Sequence, residues 1–140
     1  MPAAKTTLKW QGDMSFAAEL QGHRLTVDAD PRFGGQGQGP RPKALLLTAL
    51  GGCTGMDVVS LLKKMQMPFD SLAIEVEGEA REEHPQVYTR IHIRYILKGS
   101  ALDQDKIKKA IGLSLDKYCP VTAMLSKTAA VSHEVVLNPS

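Results

Sequence analysis

The chain has 140 residues, of which 43% are hydrophobic and 23% are charged, and its formal net charge is +2. These values predict one globular domain over residues 1–140, with a core that needs no disulfide staples. The basic residues are spread evenly along the chain, so we expect no nucleic-acid partner. The longest apolar run, Ala44–Leu50, is far shorter than the ~20 residues that a bilayer requires, and the N-terminus lacks a signal-peptide core. We therefore expect no membrane association and a cytoplasmic location.

The N-terminal third of the sequence predicts an antiparallel meander. Three short strand candidates are separated by turn signals: Thr6–Gln11, Met14–Leu20 and His23–Ala29. A loop rich in glycine follows from Arg32 to Gly39, and its spacing fits neither common phosphate-binding fingerprint. We interpret this loop as flexible or as closely packed against a second chain.

A long central helix is predicted from Pro40 to Met67. Its apolar residues occupy most of the helical wheel, which indicates burial on nearly every side. A domain of this size cannot cover such a helix alone, so we expect the helix to be shared between two chains of a homodimer. Gly51 and Gly52 precede Cys53 at the centre of the helix, where each glycine costs about 1 kcal/mol relative to alanine. Either another backbone approaches there, or the helix breaks and restarts with Cys53 near an N-terminus, where free N–H groups favour a thiolate.

The clearest hairpin in the sequence comes after this helix. Its two predicted strands are Ala73–Ala80 and Val87–Lys98. A loop of residues 81–86 would place Glu77 opposite Arg90 and Glu75 opposite His92, and such opposite charges support an exposed face. This register makes His92 a structural residue.

The C-terminal region predicts two helices and a final strand. Asp103 is a candidate N-cap for a helix whose apolar stripe ends at Cys119. The other residues on this stripe are Ile107, Ala110, Ile111, Ser114, Leu115 and Tyr118. Pro120 interrupts the helix and begins another, Val121–Ala129, and a strand over Val131–Leu137 returns to a sheet. The element order indicates an α+β protein without alternating βαβ units.

The two cysteines stand in unusual places for core residues. A buried cysteine is usually a small hydrophobic residue, but Cys53 follows a pair of glycines and Cys119 lies between a helix and a proline. In a reducing compartment, paired cysteines are more often catalytic, redox-sensing or metal-binding than structural. A thiol that attacks a peroxide needs a second thiol nearby to trap its sulfenic acid as a disulfide. Two cysteines are the minimum for that cycle.

At these residues the chain resembles the OsmC/Ohr family, the osmotically induced and organic hydroperoxide resistance proteins. The resemblance covers nearly the whole sequence and is carried by these motifs: Gly34-Gly35, Gly39-Pro-Arg-Pro, Leu45 to Cys53 with Asp57-Val-Val, Glu83-His84-Pro85, and Lys117-Tyr118-Cys119-Pro120-Val121. It implies an intertwined homodimer with two central helices wrapped by sheets from both chains. It also implies a thiol peroxidase that reduces organic hydroperoxides or hydrogen peroxide, with Cys53 as the peroxidatic and Cys119 as the resolving cysteine. Electrons would return from a dithiol reductant, without a metal or an organic cofactor.

One motif departs from the family pattern. Peroxidases of the family carry a glutamate after a proline, at the position of Lys43, and this glutamate orients an arginine onto the thiolate. Arg24 on the third strand is the best candidate for that arginine, followed by Arg41. Because at least one of these three cations should reach Cys53, we expect a folded pKa below the ordinary thiol value. Asp57, one turn after Cys53, would oppose ionisation unless it is paired, for example with a basic residue or a backbone N–H of the other chain.

Two alternatives to a peroxidase remain. Because a lysine replaces the family glutamate, the chain could instead be a redox-sensing or small-ligand-binding dimer with the same fold. A metal site formed by Cys53, Cys119 and a histidine is disfavoured, because no histidine shows metal-ligand spacing with either cysteine. The four histidines are His23, His84, His92 and His133.

Overall fold

A computed structural model describes residues 3–140 of the chain. The strands are β1 (Thr6–Trp10), β2 (Phe16–Leu20), β3 (His23–Val27), β4 (Ser71–Ala80), β5 (Tyr88–Lys98) and β6 (Ala130–Leu137), and the α-helices are α1 (Pro42–Lys64), α2 (Gln104–Leu113) and α3 (Pro120–Leu125). A short 3-10 turn, Pro31–Phe33, and a π-helical turn, Ser114–Tyr118, complete the set. The predicted α+β class and element order are confirmed. The chain divides into two compact units between Leu46 and Leu47, and the single domain remains a prediction.

The first unit contains the predicted meander. Strands β1, β2 and β3 form an antiparallel sheet in that order. Gln21 and Gly22, which join β2 to β3, have φ angles of 52° and 79°. Positive φ at both central residues is what a two-residue type I′ turn requires, so this turn matches the twist of the two strands.

The glycine-rich loop packs tightly against the end of β3 in the same unit. A Cβ atom at Gly35 would overlap the carbonyl oxygen of Ala29, and one at Gly39 would overlap the carbonyl oxygen of Thr26. These two positions therefore need glycine because backbone passes directly over them. The close packing shown here involves the loop's own chain.

Asp28 organises this loop from inside. Its side chain is 2% exposed and accepts three backbone N–H bonds, from Ala29 at 2.8 Å, from Gln36 at 2.9 Å and from Gln38 at 3.1 Å. Hydrogen bonds from Gln36 and Gln38, the two largest effects, hold the pKa of Asp28 below its usual value despite the opposing effect of burial. The loop conformation thus depends on an ionised carboxylate.

The second unit is built on a mixed sheet. Strand β5 lies at its centre, antiparallel to β4 and parallel to β6. Alternate residues of β5 point into the core, where they meet the buried stripe of α1 and the apolar side of α2. The core residues that these three elements contribute are Ile91, Ile93, Tyr95, Leu97, Leu50, Val58, Leu62, Ile107, Ala110 and Ile111.

The hairpin register differs from the predicted one by two residues. Glu77 lies opposite His92, Glu75 lies opposite Arg94, and a bulge follows Glu79. One residue of the shift comes from a longer connection, since the backbone N–H of Arg81 bonds to the carbonyl of Val87 and β5 begins only at Tyr88. The other comes from the bulge between Glu79 and Ala80. A shift of two residues keeps each side chain on its face, so the charged face is retained.

His92 has a structural environment, as expected, but with different partners. Its Nδ1 lies 2.7 Å from Ser132 Oγ, and its Nε2 lies 3.4 Å from Glu134 Oε1. Both partners belong to β6. The pairing of His92 with Glu75 is therefore wrong, because the parallel neighbour β6 supplies the polar groups closest to it.

Helix α1 runs without interruption through its glycines and ends in a Schellman turn. Gln66, at φ 55°, donates its N–H to the Lys63 carbonyl, and the N–H of Met67 bonds to the Leu62 carbonyl. The helix therefore ends earlier than Pro68 alone would dictate. Within one chain it buries a single stripe, whereas Leu46 on another face is 44% exposed and Met56 is 76% exposed.

By length and composition, α1 is also the one helix of residues 3–140 that could cross a membrane. Leu50, Val58 and Leu62 are nevertheless fully buried among the strands and helices of the second unit. Such packing is expected for the core helix of a globular protein, which passes the same test of length and hydropathy.

The end of α2 changes geometry before Cys119. Asp103 caps α2 as predicted, accepting the N–H groups of Asp105 and Lys106. A π-helical turn then inserts an extra residue, so the phase of the apolar stripe shifts. Cys119 turns into the core and Tyr118 turns outward, where it is 49% exposed. The predicted place of Tyr118 on the buried stripe is wrong for this reason.

Candidate functional site

Cys53 lies at the middle of an intact helix, so the predicted alternative of a helix break is wrong. Gly51 and Gly55 instead bring α1 close to strand β4, whereas a Cβ at Gly52 would meet nothing within 4 Å. A Cβ at Gly51 would lie 3.2 Å from Val76 Cγ2, and a Cβ at Gly55 would lie 2.9 Å from Ile74 Cδ1. The close approach therefore comes from side chains of β4 rather than from another backbone.

Cys119 is held at the junction between the π-helical turn and α3. Its N–H donates to the Ser114 carbonyl at 2.8 Å, which closes the wider ring of the π turn. Its Sγ accepts the N–H of Thr122 at 3.3 Å, so the sulfur caps α3. The thiol is buried, and Pro120 fits the first position of α3, where no N–H is needed.

The two sulfur atoms meet although the cysteines are 66 positions apart in sequence. The Sγ atoms lie 2.9 Å apart, and both thiols are free. A disulfide bond is about 2.0 Å long. A small side-chain movement would therefore join Cys53 to Cys119.

A chain of buried hydroxyl groups, here called the hydroxyl relay, ends beside the thiols. It consists of Tyr95, Thr54, Ser114 and Asp57. Ser114 Oγ donates to Asp57 Oδ2 at 2.9 Å, and Thr54 Oγ1 lies 2.7 Å from both Ser114 Oγ and the Tyr95 hydroxyl. Since a carboxylate only accepts and each hydroxyl has one proton, Ser114 must accept from Thr54, and Thr54 from Tyr95. Every donor of the relay therefore points toward Asp57.

This arrangement settles how Asp57 is bonded within the chain. Its partner is the Ser114 hydroxyl, and an added contact with a basic residue or backbone N–H of another chain stays a prediction. Its carboxylate also lies within 4.8 Å of the Cys53 and Cys119 sulfur atoms. Asp57 is thus a member of the site, and the relay fixes its orientation.

The surroundings of Cys53 favour the protonated thiol. Burial is the largest effect that raises the pKa of Cys53, followed by its hydrogen bond with Cys119, and the charge of Asp57 adds to both. The Val121 backbone acts in the opposite direction without reversing the outcome. The expectation of a lowered Cys53 pKa is therefore wrong for the chain by itself.

Burial likewise raises the pKa of Tyr95, to about 12, which keeps this donor of the relay protonated.

The three cations expected to activate Cys53 belong to the first compact unit. Arg24 lies on β3 opposite Glu19. Arg41 donates to the Gly39 carbonyl at 3.4 Å and lies 4.0 Å from Asp30 Oδ2, and Lys43 stands in the first turn of α1. A contact between any of them and Cys53 remains a prediction.

The potential metal ligands differ from the disfavoured set of two cysteines and a histidine. Within residues 3–140, the group of side chains that could hold a metal ion is Cys53, Asp57 and Cys119. The third ligand would therefore be a carboxylate. Helical spacing relates Asp57 to Cys53, but only the packing of α1 against the π-helical turn brings Cys119 to them.

Sequence reasoning missed the polar residues behind the cysteines. Thr54 interrupts an apolar helix one position after Cys53, and Ser114 stands on the apolar stripe of α2. A polar residue at a core position signals a buried hydrogen bond. Each residue alone gives no partner, however, and Tyr95 looks like an ordinary aromatic residue of a strand.

Comparison with known proteins agrees with this arrangement. Residues 35–134 match the family of OsmC-like proteins. The chain belongs to this family. Protein YhfA of Escherichia coli K12 is 34% identical over 127 residues, which cover 90% of this chain and 92% of YhfA.

Solved structures of other proteins share the fold over almost the whole chain. A hypothetical protein from Aquifex aeolicus VF5 has a TM-score of 0.84 and 29% identity, covering 99% of this chain and all of its own. The organic hydroperoxide resistance protein OhrB of Bacillus subtilis has a TM-score of 0.65 and 18% identity, covering 95% of this chain and 97% of its own. The likeness to OhrB shows a common fold, and the resemblance to the OsmC/Ohr family is confirmed.

Proposed function

We propose that the protein is a thiol-dependent peroxidase that reduces organic hydroperoxides or hydrogen peroxide. The observation that carries this proposal is the 2.9 Å separation of the Cys53 and Cys119 sulfur atoms, both of them free thiols. Membership of the OsmC-like family and the fold shared with organic hydroperoxide resistance proteins support it.

The reaction would use the two thiols in turn. Cys53 attacks the distal peroxide oxygen, the O–O bond breaks, and the products are the Cys53 sulfenic acid and an alcohol, or water when the substrate is hydrogen peroxide. Cys119 Sγ then attacks the Cys53 sulfur, a disulfide forms and water leaves. A dithiol reductant restores both thiols and is itself oxidised to a disulfide. Cys53 is assigned as the attacking thiol because it is partly exposed, whereas Cys119 is buried.

Peroxide attack requires a thiolate, so the raised pKa of Cys53 must be overcome. We assign this task to Arg24, the candidate for the arginine of the family motif, either from the same chain or from a second copy. A guanidinium stays protonated at any physiological pH and would offset the charge of Asp57. In a Cys119→Ser background, Arg24→Ala should raise the pH midpoint of Cys53 alkylation, whereas Arg32→Ala on the exposed 3-10 turn should leave it unchanged.

The decisive experiment measures peroxide consumption by the purified protein with dithiothreitol or dihydrolipoamide. We expect turnover with cumene hydroperoxide, none with Cys53→Ser, and a single turnover ending in hyperoxidised Cys53 with Cys119→Ser. Asp116→Asn, an exposed substitution on the π-helical turn, serves as the matched control and should keep full activity. If the wild type consumes no peroxide with either reductant, the peroxidase proposal is wrong.

We further propose that the protein works as a homodimer in the cytoplasm. The exposed side of α1 supports this, because Gly52, Met56 and Val59 line an open groove of about 900 Å³ together with residues of β4. Met56→Glu would place a charge in the dimer interface and should yield monomers in sedimentation velocity. Met124→Glu changes another exposed methionine, on α3, and should leave dimers. A monomeric wild type at micromolar concentration would contradict this proposal.

The raised pKa of Cys53 favours a second candidate, a non-enzymatic redox sensor or ligand-binding dimer. A protonated thiol reacts slowly with peroxide, but a pair at 2.9 Å can still form a disulfide under sustained oxidation. This candidate predicts stoichiometric disulfide formation without catalytic turnover, which the same assay distinguishes.

A further inference from the structure

We infer that Cys53, Cys119 and Asp57 form a site for a thiophilic divalent cation, with Zn²⁺ as the best fit. One ligand atom from each residue lies within 4.8 Å of the other two. Two thiolates and one carboxylate match the ligand types that zinc prefers, and three protein ligands leave the fourth tetrahedral position open. This proposal concerns the reduced thiol pair and does not require the protein to be a peroxidase.

A second observation in favour of the site is that hydrogen bonds hold its ligands in place. Metal-bound carboxylates in proteins are themselves held by hydrogen bonds, and such partners strengthen binding. Asp57 accepts from Ser114, and the hydroxyl relay continues through fully buried Thr54 and Tyr95. The Thr122 N–H fixes the Cys119 sulfur in the same way. The ligands are therefore oriented by buried groups that would be costly to rearrange.

The separation of the sulfur atoms is compatible with two exclusive states. At 2.9 Å they lie between a disulfide bond of about 2.0 Å and the spacing of about 3.8 Å that two thiolates adopt on tetrahedral zinc. Rotation of Cys53 and Cys119 toward each other would give the disulfide, and rotation apart would admit the metal. Metal binding and disulfide formation therefore compete for the same two sulfur atoms.

Oxidation of the two zinc-bound thiolates would release the metal. When a hydroperoxide oxidises the zinc-bound dithiolate, two electrons pass from the sulfur atoms to the O–O bond and an S–S bond forms. Two protons from solvent complete the alcohol and water products, and Zn²⁺ leaves because the disulfide has no thiolate to offer. The site would thus hold zinc when reduced and release it when oxidised.

The test measures Zn²⁺ affinity by competition with a chromophoric chelator, on the full chain with both thiols reduced. We expect one zinc per chain and at least ~100-fold weaker binding by Cys53→Ser or Cys119→Ser. Asp57→Asn should weaken binding roughly 10- to 100-fold, and Ser114→Ala about 10-fold. The control is Asp116→Asn, which removes an exposed carboxylate near the site and should keep wild-type affinity.

Two further measurements keep the proposal testable if a variant fails to fold. Co²⁺ bound to the wild type should show a thiolate-to-cobalt charge-transfer band, since the ligands include sulfur. Oxidising the wild type with diamide to the Cys53–Cys119 disulfide should abolish tight zinc binding. Reduction with dithiothreitol, which is then removed before the assay, should restore it. Absence of the cobalt band, or zinc affinity unchanged by oxidation, would overturn the proposal. Peroxidase activity plays no part in these readouts, so a failure here is separate from a failure of the proposed function.

Discussion

Two regions of the molecule combine glycines with a buried or half-buried aspartate, and they use them differently. In the loop after β3, Asp28 accepts three backbone N–H bonds, and glycine lets the loop backbone pass over its own chain. In α1, Asp57 accepts one hydroxyl bond and remains beside two sulfur atoms. The carboxylate of the loop is fully engaged in structure, whereas that of the helix keeps acceptor capacity directed at a reactive group. This difference in unused acceptor capacity supports the proposal that the helix carries the functional site.

The largest loss of stability should come from Gly35→Ala in the loop. The new Cβ would overlap the Ala29 carbonyl oxygen, and a backbone atom cannot move aside as the end of a side chain can. We expect a loss of at least ~3 kcal/mol in the free energy of unfolding, measured by urea denaturation. The control is Gly112→Ala in α2, where a Cβ meets nothing within 4 Å. This substitution should raise the free energy of unfolding by up to about 1 kcal/mol. Equal effects of the two substitutions would contradict the close packing of the loop.

A smaller loss is expected when the hydroxyl relay is cut. Thr54→Val preserves shape but leaves the Tyr95 hydroxyl without its acceptor and Ser114 without its donor, both fully buried. We expect about 1–3 kcal/mol of destabilisation by urea denaturation. Thr89→Val removes an exposed 3.3 Å bond to the Glu79 carbonyl and should change stability by less than about 0.5 kcal/mol. If Thr54→Val were as mild as Thr89→Val, the relay would not be formed in solution.

The pH dependence of stability should report the charge of Asp28. Backbone N–H bonds lower the pKa of Asp28 in the folded state, so its contribution is present above the unfolded value near 3.9 and is lost as pH falls through the folded pKa. Asp28→Asn should therefore flatten the acid side of the stability profile, measured as thermal midpoints at successive pH values. A wild-type acid slope in the Asp28→Asn variant would mean that the loop does not depend on the charge.

The sequence predicted the helices and strands better than it predicted how they pair and pack with one another. Periodicity and turn residues located the meander, α1, the hairpin and Asp103, because these features depend on local chemistry. The two-residue register shift depends on a bulge beside Ala80, and the phase shift that exposes Tyr118 depends on one inserted residue. Neither leaves a local signal. For the chain by itself, the predicted direction of the Cys53 pKa is wrong, because burial, the Cys119 thiol and Asp57 raise it more than the sequence-based comparison with nearby cations allowed.

The smallest effect should appear in the ionisation of Cys53, and it tests the helix region most directly. Burial raises the Cys53 pKa most, the Cys119 thiol raises it next, and Asp57 contributes least. In an Arg24→Ala variant, which lacks the cation that we assign to Cys53, iodoacetamide alkylation of Cys53, followed by mass spectrometry, should therefore have a pH midpoint above the ordinary thiol value of about 8.5. Asp57→Asn should lower this midpoint, and Cys119→Ala should lower it further, because it removes both a hydrogen bond and a nearby ionisable group. Glu79→Gln, on the exposed face of β4, should not move it. A midpoint below the ordinary value in the Arg24→Ala variant would mean that burial and the charge of Asp57 do not control the ionisation of Cys53.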